Sequence, residues 1–130
     1  MIRTEISVPG LAPALSHYTD AVRFGDMLFI SGIVALDADG KVLAKDDVVG
    51  QTEHVFQSIQ RILDAVGATF ADVLKVTVFL TEVADREQIN VVRKKYFGTT
   101  KPASTLIGVR SLALPDLKVE VEAVVGLRSA

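Results

Sequence analysis

The stretch that decides the fold lies near the end of the chain and reads Leu-Lys-Val-Glu-Val-Glu-Ala-Val-Val, residues 117–125. Its odd-numbered residues are all apolar and its even-numbered residues are mostly charged, which is the period-two pattern of a strand with one buried face. Glu120 and Glu122 share the other face, about 7 Å apart by strand geometry. The stretch therefore predicts a strand that carries two neighbouring carboxylates opposite the core.

The segments before this strand predict a hairpin, two helices and further strands. Gly25-Asp26 is a glycine-first pair of the kind that two-residue hairpin turns favour, and Asp85 is a predicted N-cap of the second helix. The predicted elements are, in chain order, Arg3–Val8, the hairpin strands Ala21–Phe24 and Met27–Val34, a helix that starts at Asp46-Asp47 and is closed by Gly67, Leu74–Leu80, a helix from Asp85 to Gly98, and Thr105–Val109. This order predicts an α+β domain in which two helices cover one face of a single sheet and leave the other face open.

Length and composition predict one soluble domain. The 130 residues, with a mass of 14.0 kDa, correspond to a single domain over residues 1–130. The absence of cysteine excludes disulfides and thiolate metal sites. The net charge of −2 argues against a dedicated nucleic-acid or membrane surface.

The mean hydropathy of +0.37 is high for a small monomer. No membrane segment explains it, because the longest uncharged run, Met27–Leu36, is about half of the ~20 residues that a span requires. The apolar excess therefore predicts a subunit interface; an Ala- and Val-rich core is the alternative. The N-terminus, with Arg3 and Glu5, lacks the apolar segment of a signal peptide, and we expect a cytoplasmic protein.

Few residues offer catalytic chemistry. His17 and His54 have no metal-ligand spacing, so no metal site is predicted, and Arg93-Lys94-Lys95 is interpreted as the solvated face of the second helix. If the face that carries Glu120 and Glu122 is covered, dehydration and mutual repulsion raise at least one pKa, and such a carboxylate can act as a base toward water near neutral pH. An exposed, solvated pair is the alternative.

The chain resembles the Rid family (reactive intermediate deaminases, also called YjgF-like). Order and spacing carry the resemblance, since no single segment is specific. The matching segments are Ser16-His17-Tyr18, Leu28-Phe29-Ile30-Ser31-Gly32, Leu63-Asp64-Ala65-Val66-Gly67, Val73–Leu80, Ile89-Asn90 with Tyr96-Phe97, Lys101-Pro102-Ala103 and Lys118–Ala123.

The resemblance implies a chorismate-mutase-like α+β fold and a homotrimer whose open sheet faces meet at the centre. It implies three clefts between neighbouring subunits that bind a small molecule. Active members of the family hydrolyse 2-imino acids or their enamine tautomers to 2-keto acids and ammonia in this cleft, without a metal or organic cofactor. Ribonuclease activity, attributed to some relatives, finds no support in the charge of this chain.

The resemblance also implies roles for individual residues. Glu120 is expected to hold and polarise the attacking water, and the expected substrate-binding residues are Tyr18, Ser31, Gly32, Asn90, Ser104 and Thr105. The alternatives are structural: a packed loop aromatic for Tyr18, a solvated helix residue for Asn90 and a strand bulge for Ser31-Gly32.

One departure from the family pattern bears on the substrate. Imine-hydrolysing members have, after Pro-Ala, an arginine that clamps the substrate carboxylate, and Ser104 occupies that position here. A neutral hydroxyl binds a carboxylate more weakly and lacks the fork geometry. Either the ligand is less acidic or differently shaped, or a cation comes from elsewhere, with Arg110 and Arg23 as candidates. Two functions stay open: an imine or enamine deaminase, and a non-catalytic trimer that binds a small ligand or a partner protein.

Overall fold

The computed structural model describes residues 1–128, and these form one six-stranded mixed sheet with two helices. The elements are β1 (Arg3–Ile6), β2 (Ala21–Phe24), β3 (Met27–Val34), α1 (Val48–Ala65), β4 (Val73–Leu80), α2 (Asn90–Phe97), β5 (Ala103–Gly108) and β6 (Val119–Gly126). The strand order is β1-β2-β3-β6-β4-β5; β4 and β5 pair in parallel and the other pairs are antiparallel. The predicted α+β architecture is confirmed.

The central strand β6 has the predicted alternation. Val119, Val121 and Val125 are fully buried, whereas Glu122 on the opposite face is exposed. The buried side chains join one core with the apolar residues of α1 and α2. Both helices therefore pack on the same face of the sheet, as the sequence predicts.

Helix α1 begins and ends at its predicted signals. The Asp47 carboxylate accepts a hydrogen bond of 2.9 Å from the Gly50 amide and caps the helix. Gly67, with φ of +71°, follows the last turn in a left-handed conformation that glycine adopts without a steric cost. Between them, one face of α1 is buried; its fully buried apolar residues are Val55, Phe56, Ile59, Ile62 and Leu63.

The start of the second helix differs from the prediction. Helix α2 begins at Asn90, and a separate 3-10 turn occupies Val83–Arg86. Glu82 caps that turn by accepting a hydrogen bond of 3.2 Å from the Ala84 amide. Asp85 lies within that turn and is therefore not the cap of α2, whose N-cap residue is Ile89.

Helix α2 is fastened to α1 through Tyr96 and Lys95. The Tyr96 ring stacks on Phe56 at a centroid distance of 5.4 Å. The Tyr96 hydroxyl donates a hydrogen bond of 2.9 Å to Glu53, and Lys95 forms an ion pair of 2.6 Å with the same carboxylate. Lys95 is thus a paired residue rather than part of a purely solvated face. These contacts fix the position of α2, which carries two residues of the candidate site.

The face of the sheet opposite the helices bears large apolar side chains. Phe24, Phe29 and Ile107 lie on this face and are 47%, 49% and 40% exposed. Neither helix packs against them, because the core lies on the other side. We call this surface the open face. No helix in residues 1–128 is long and apolar enough to cross a membrane.

Candidate functional site

A bulge in β3 brings the backbone against the carboxylates of β6. Ser31 and Gly32 together stand opposite the single residue Glu122, because the pairing register shifts between Ile30 and Ile33. Ser31-Gly32 is therefore a strand bulge, which the sequence offered as the structural alternative to a substrate-binding role. Bulges re-aim neighbouring side chains and are frequent beside functional sites.

Gly32 lies directly against the carboxyl group of Glu120. A Cβ atom added at residue 32 would come within 2.8 Å of Glu120 Cδ, closer than a side chain tolerates. Glu120 is half-buried, and this burial raises the pKa of its carboxyl group; the nearby charge of Glu122 raises it further. The bulge thus holds a dehydrated carboxylate whose proton affinity is above that of an ordinary glutamate.

Tyr18 and Ser31 belong to the same region. The Ser31 hydroxyl donates a hydrogen bond of 2.6 Å to the Thr19 carbonyl, so it fastens the segment before β2 to the bulge. The Tyr18 hydroxyl accepts a hydrogen bond of 3.1 Å from the Leu15 amide, and its ring is 48% exposed. Tyr18 and Gly32 line one surface cavity. We call the set of residues Tyr18, Ser31, Gly32 and Glu120 the Glu120 cluster.

A second set of candidate residues meets where α2 approaches β5. Asn90, Ser104 and Arg93 line one depression. The Arg93 guanidinium donates a hydrogen bond of 2.8 Å from Nη2 to Ser104 Oγ. The side chain is half-buried, and this burial lowers the pKa of the guanidinium. We call Asn90, Arg93 and Ser104 the helix–strand group.

Thr105 is separate from Ser104. Successive residues of a strand point to opposite faces, and Thr105 faces the open side of the sheet. There its hydroxyl accepts a hydrogen bond of 2.6 Å from Lys75 Nζ. The structure therefore does not bring Thr105 into the depression that Ser104 lines.

The two groups lie apart within one chain. Glu120 is on β6, on the open face, while Ser104 pairs with Val76 of β4, whose side chain lies in the core on the helix side. Strand β4 separates their strands. A single chain therefore does not place Glu120 and Ser104 around one ligand.

The cation beside Ser104 is Arg93, a residue that the sequence analysis assigned to a solvated face. Arg23 lies on β2 and donates a hydrogen bond of 3.1 Å to the Gly25 carbonyl. Arg110 lies beyond the end of β5. Neither arginine donates a hydrogen bond to Ser104 within residues 1–128. One signal in the sequence could have placed Arg93 at the site: it lies three residues after Asn90, and residues at this spacing share a helix face.

No metal centre is formed by the described part of the chain. Within residues 1–128, no three His, Cys, Asp or Glu side chains lie close enough to hold a metal ion. His17 is exposed, and His54 lines a different cavity together with Arg61.

The comparison with known families agrees with this architecture. The family model described as "Endoribonuclease L-PSP" matches residues 10–126. The chain belongs to this family, the YjgF/Rid family. The match begins before the segment that carries Tyr18 and ends at the last residue of β6, so it includes every candidate site residue.

Members of the family with related sequences are named as deaminases. The chain is 35% identical over 121 residues to the 3-aminoacrylate deaminase RutC of Acinetobacter baylyi, which covers 92% of this chain and 95% of that protein. It is 32% identical over 127 residues to the chloroplastic Reactive Intermediate Deaminase A of Arabidopsis thaliana, covering 97% of this chain and 67% of that protein. Among solved structures, yeast Mmf1 superimposes with a TM-score of 0.90 at 28% identity, covering 98% of this chain and all of that one.

Proposed function

We propose that the protein is a hydrolytic deaminase of small imine or enamine metabolites, in which Glu120 positions the attacking water and no cofactor takes part. The observation that carries the proposal is the dehydrated Glu120 carboxyl group held against the Gly32 backbone. The deaminase names of two relatives support the reaction class. The substrate expected first is a 2-imino acid or its enamine tautomer.

The reaction needs one base and one water molecule. As the water oxygen bonds to the imine carbon, the C=N electron pair moves to nitrogen, and the Glu120 carboxylate accepts a water proton and passes it to that nitrogen, which gives a neutral carbinolamine. Glu120 then accepts the proton of the new hydroxyl group and passes it to the amine, so that the C–N bond breaks and ammonia leaves as the C=O bond forms. An enamine first takes a proton at carbon and loses one from nitrogen, and so becomes the imine. A base with a raised pKa suits both proton transfers near neutral pH.

The proposed active form is a homotrimer with its clefts between subunits. Two observations support it: the open face exposes Phe24, Phe29 and Ile107, and the two halves of the site lie on different faces of one chain. Monomers rarely expose apolar patches of this kind. A neighbouring subunit supplies the missing half of the site, so that the Glu120 cluster of one chain faces the helix–strand group of another.

A second candidate function is a non-catalytic trimer that binds a small ligand or a partner protein. The specific observation in its favour is Ser104, a neutral residue at the position where active relatives carry the substrate-clamping arginine. In this case keto acids bind in the cleft and raise the melting temperature, but no ammonia is released.

The test is ammonia release from freshly generated 2-iminopropionate and 3-aminoacrylate, measured against the spontaneous rate. The deaminase proposal predicts acceleration by the natural chain and its loss in Glu120→Gln, with Glu87→Gln as a control that removes one exposed carboxylate elsewhere. A natural chain that accelerates neither reaction, while keto acids raise its melting temperature, establishes the binding function instead.

A further inference from the structure

The guanidinium of Arg93 lacks a counter-ion within the described chain. Its hydrogen-bond partner is the neutral hydroxyl of Ser104, and within residues 1–128 no ion pair includes Arg93. The side chain is half-buried and has therefore lost part of its hydration. A dehydrated charge without an opposite charge is costly, and an anion that binds beside it recovers part of that cost.

The geometry leaves the guanidinium available to a ligand. The bond to Ser104 uses Nη2, and the other N–H donors of this group form no hydrogen bond within residues 1–128, while Arg93 lines the depression. Asn90 stands one helical turn before Arg93 on the same face of α2 and offers an amide to the same space. Lys101 also lines the depression, but its side chain is exposed and well hydrated.

We propose that Arg93 is the residue that binds the carboxylate of an anionic substrate, and that Ser104 is a positioning residue that holds its guanidinium. The proposal rests on the proposed function and deepens it, since it assigns an anionic imine or enamine as the substrate class. The positive charge comes from helix α2 instead of strand β5, so the strand residue is free to be a serine.

The test measures ligand binding, so it does not depend on turnover. Pyruvate serves as the anionic probe and pyruvamide as its neutral counterpart, each titrated by calorimetry into the assembled protein. Arg93→Gln is expected to weaken pyruvate binding about 10- to 100-fold, the range for a charged hydrogen bond, and to leave pyruvamide binding unchanged. Arg86→Gln, which removes one exposed charge outside the depression, is expected to change pyruvate affinity less than threefold.

The positioning role of Ser104 is tested by a matched pair of variants. Ser104→Ala removes the acceptor and is expected to weaken pyruvate binding several-fold, whereas Ser104→Thr keeps a hydroxyl and restores it. A merely structural role of Ser104 would change pyruvate and pyruvamide binding equally. Light scattering on each variant verifies that the oligomer is intact.

Three results would overturn the proposal. The first is equal pyruvate affinity of Arg93→Gln and the natural chain. The second is a natural chain that binds pyruvate no better than pyruvamide. The third is loss of the oligomer in Arg93→Gln, which would make Arg93 an interface ion pair. Ammonia release by the natural chain is a separate measurement. If the natural chain releases no ammonia but Arg93→Gln selectively loses pyruvate binding, the deaminase function is contradicted and the role of Arg93 stands.

Discussion

Gly32 and the Glu120 carboxyl group are in contact across the β3–β6 pair, so that a Cβ at residue 32 would lie 2.8 Å from Glu120 Cδ. Gly32→Ala is therefore expected to displace the carboxyl group. A displacement of about 1 Å at a reacting group costs about 100-fold in rate, and we expect a loss of this order in kcat/KM for ammonia release.

A matched glycine on the neighbouring strand provides the control. In Gly126→Ala the new Cβ meets the flexible Leu74 side chain, 3.1 Å away, and not a carboxyl group. We expect this variant to keep most of the activity. Equal activity of both variants would mean that the close approach of Gly32 to Glu120 has no role in the reaction.

The pH dependence of activity follows from the environment of Glu120. Burial, and then the charge of Glu122, raise the pKa of Glu120 from its ordinary value of 4.5. Because the base must be deprotonated, the acid limb of the kcat/KM profile should lie above that value. Glu122→Gln removes the repulsion and should move the limb to lower pH, whereas Glu87→Gln should leave it in place.

The same shift predicts the sign of a stability effect. Since the folded-state pKa of Glu120 is raised, the folded chain holds more protons than the unfolded chain between 4.5 and that pKa, and stability falls as pH rises through this window. Glu120→Gln should therefore melt at a higher temperature than the natural chain above the window, and the difference should disappear below pH 4.5. The opposite sign would contradict a dehydrated Glu120.

The open face makes a prediction about assembly. Phe29 lies on this face with 49% of its surface exposed, and we expect it to be buried in the trimer. Phe29→Glu should shift the mass measured by light scattering from about 42 kDa, three times the 14.0 kDa of one chain, to that of a single chain. Ala65→Glu, at an exposed residue of α1, is the control and should remain trimeric.

The hydrogen bond from Arg93 to Ser104 changes the expectation for Ser104→Arg. The family pattern alone predicts that this change increases the hydrolysis of imino acids. In the structure, a new arginine at residue 104 would stand against a guanidinium that already lies 2.8 Å from the serine hydroxyl, and like charges repel.

The single variant Ser104→Arg should therefore have a KM for imino acids no lower than that of the natural chain. The double variant Ser104→Arg with Arg93→Gln removes the repulsion and should lower the KM below that of the single variant. The comparison is one double-mutant cycle. A lower KM in the single variant than in the double variant would contradict the expected repulsion between the two guanidinium groups.

Local signals explain which parts of the fold were predictable. The hairpin Ala21–Phe24 and Met27–Val34 matches its predicted bounds, because Gly25 and the strand alternation are encoded in adjacent residues. The alternation of apolar and polar residues in β6 likewise predicted which of its side chains face the core. The start of α2 was wrong by several residues, because Asp85 is compatible with either a helix cap or the 3-10 turn that it occupies.

The candidate site was less predictable because its contacts are long-range. The position of Glu120 on the face opposite the core follows from the alternation of β6, whereas a bulge at Ser31-Gly32 was only the alternative to the predicted substrate-binding role. The contact between Arg93 and Ser104 joins a helix to a strand across eleven residues and an intervening turn. No local period encodes such a contact, so the basic run alone indicated only a solvated face.

The central claim, that each site combines Glu120 of one chain with the helix–strand group of another, is tested by mixing two inactive variants. Glu120→Gln lacks the base, and Ser104→Trp fills the depression beside Arg93. When the two chains assemble at random, each mixed trimer has one cleft in three with an intact half from each chain, which amounts to about one quarter of all clefts in the mixture.

The mixture, unfolded and refolded together at equal amounts, is predicted to recover about a quarter of the natural ammonia-release rate, although each variant alone shows only the spontaneous rate. Native mass spectrometry verifies that mixed trimers form. Mixed trimers without any recovered activity would contradict a site shared between subunits.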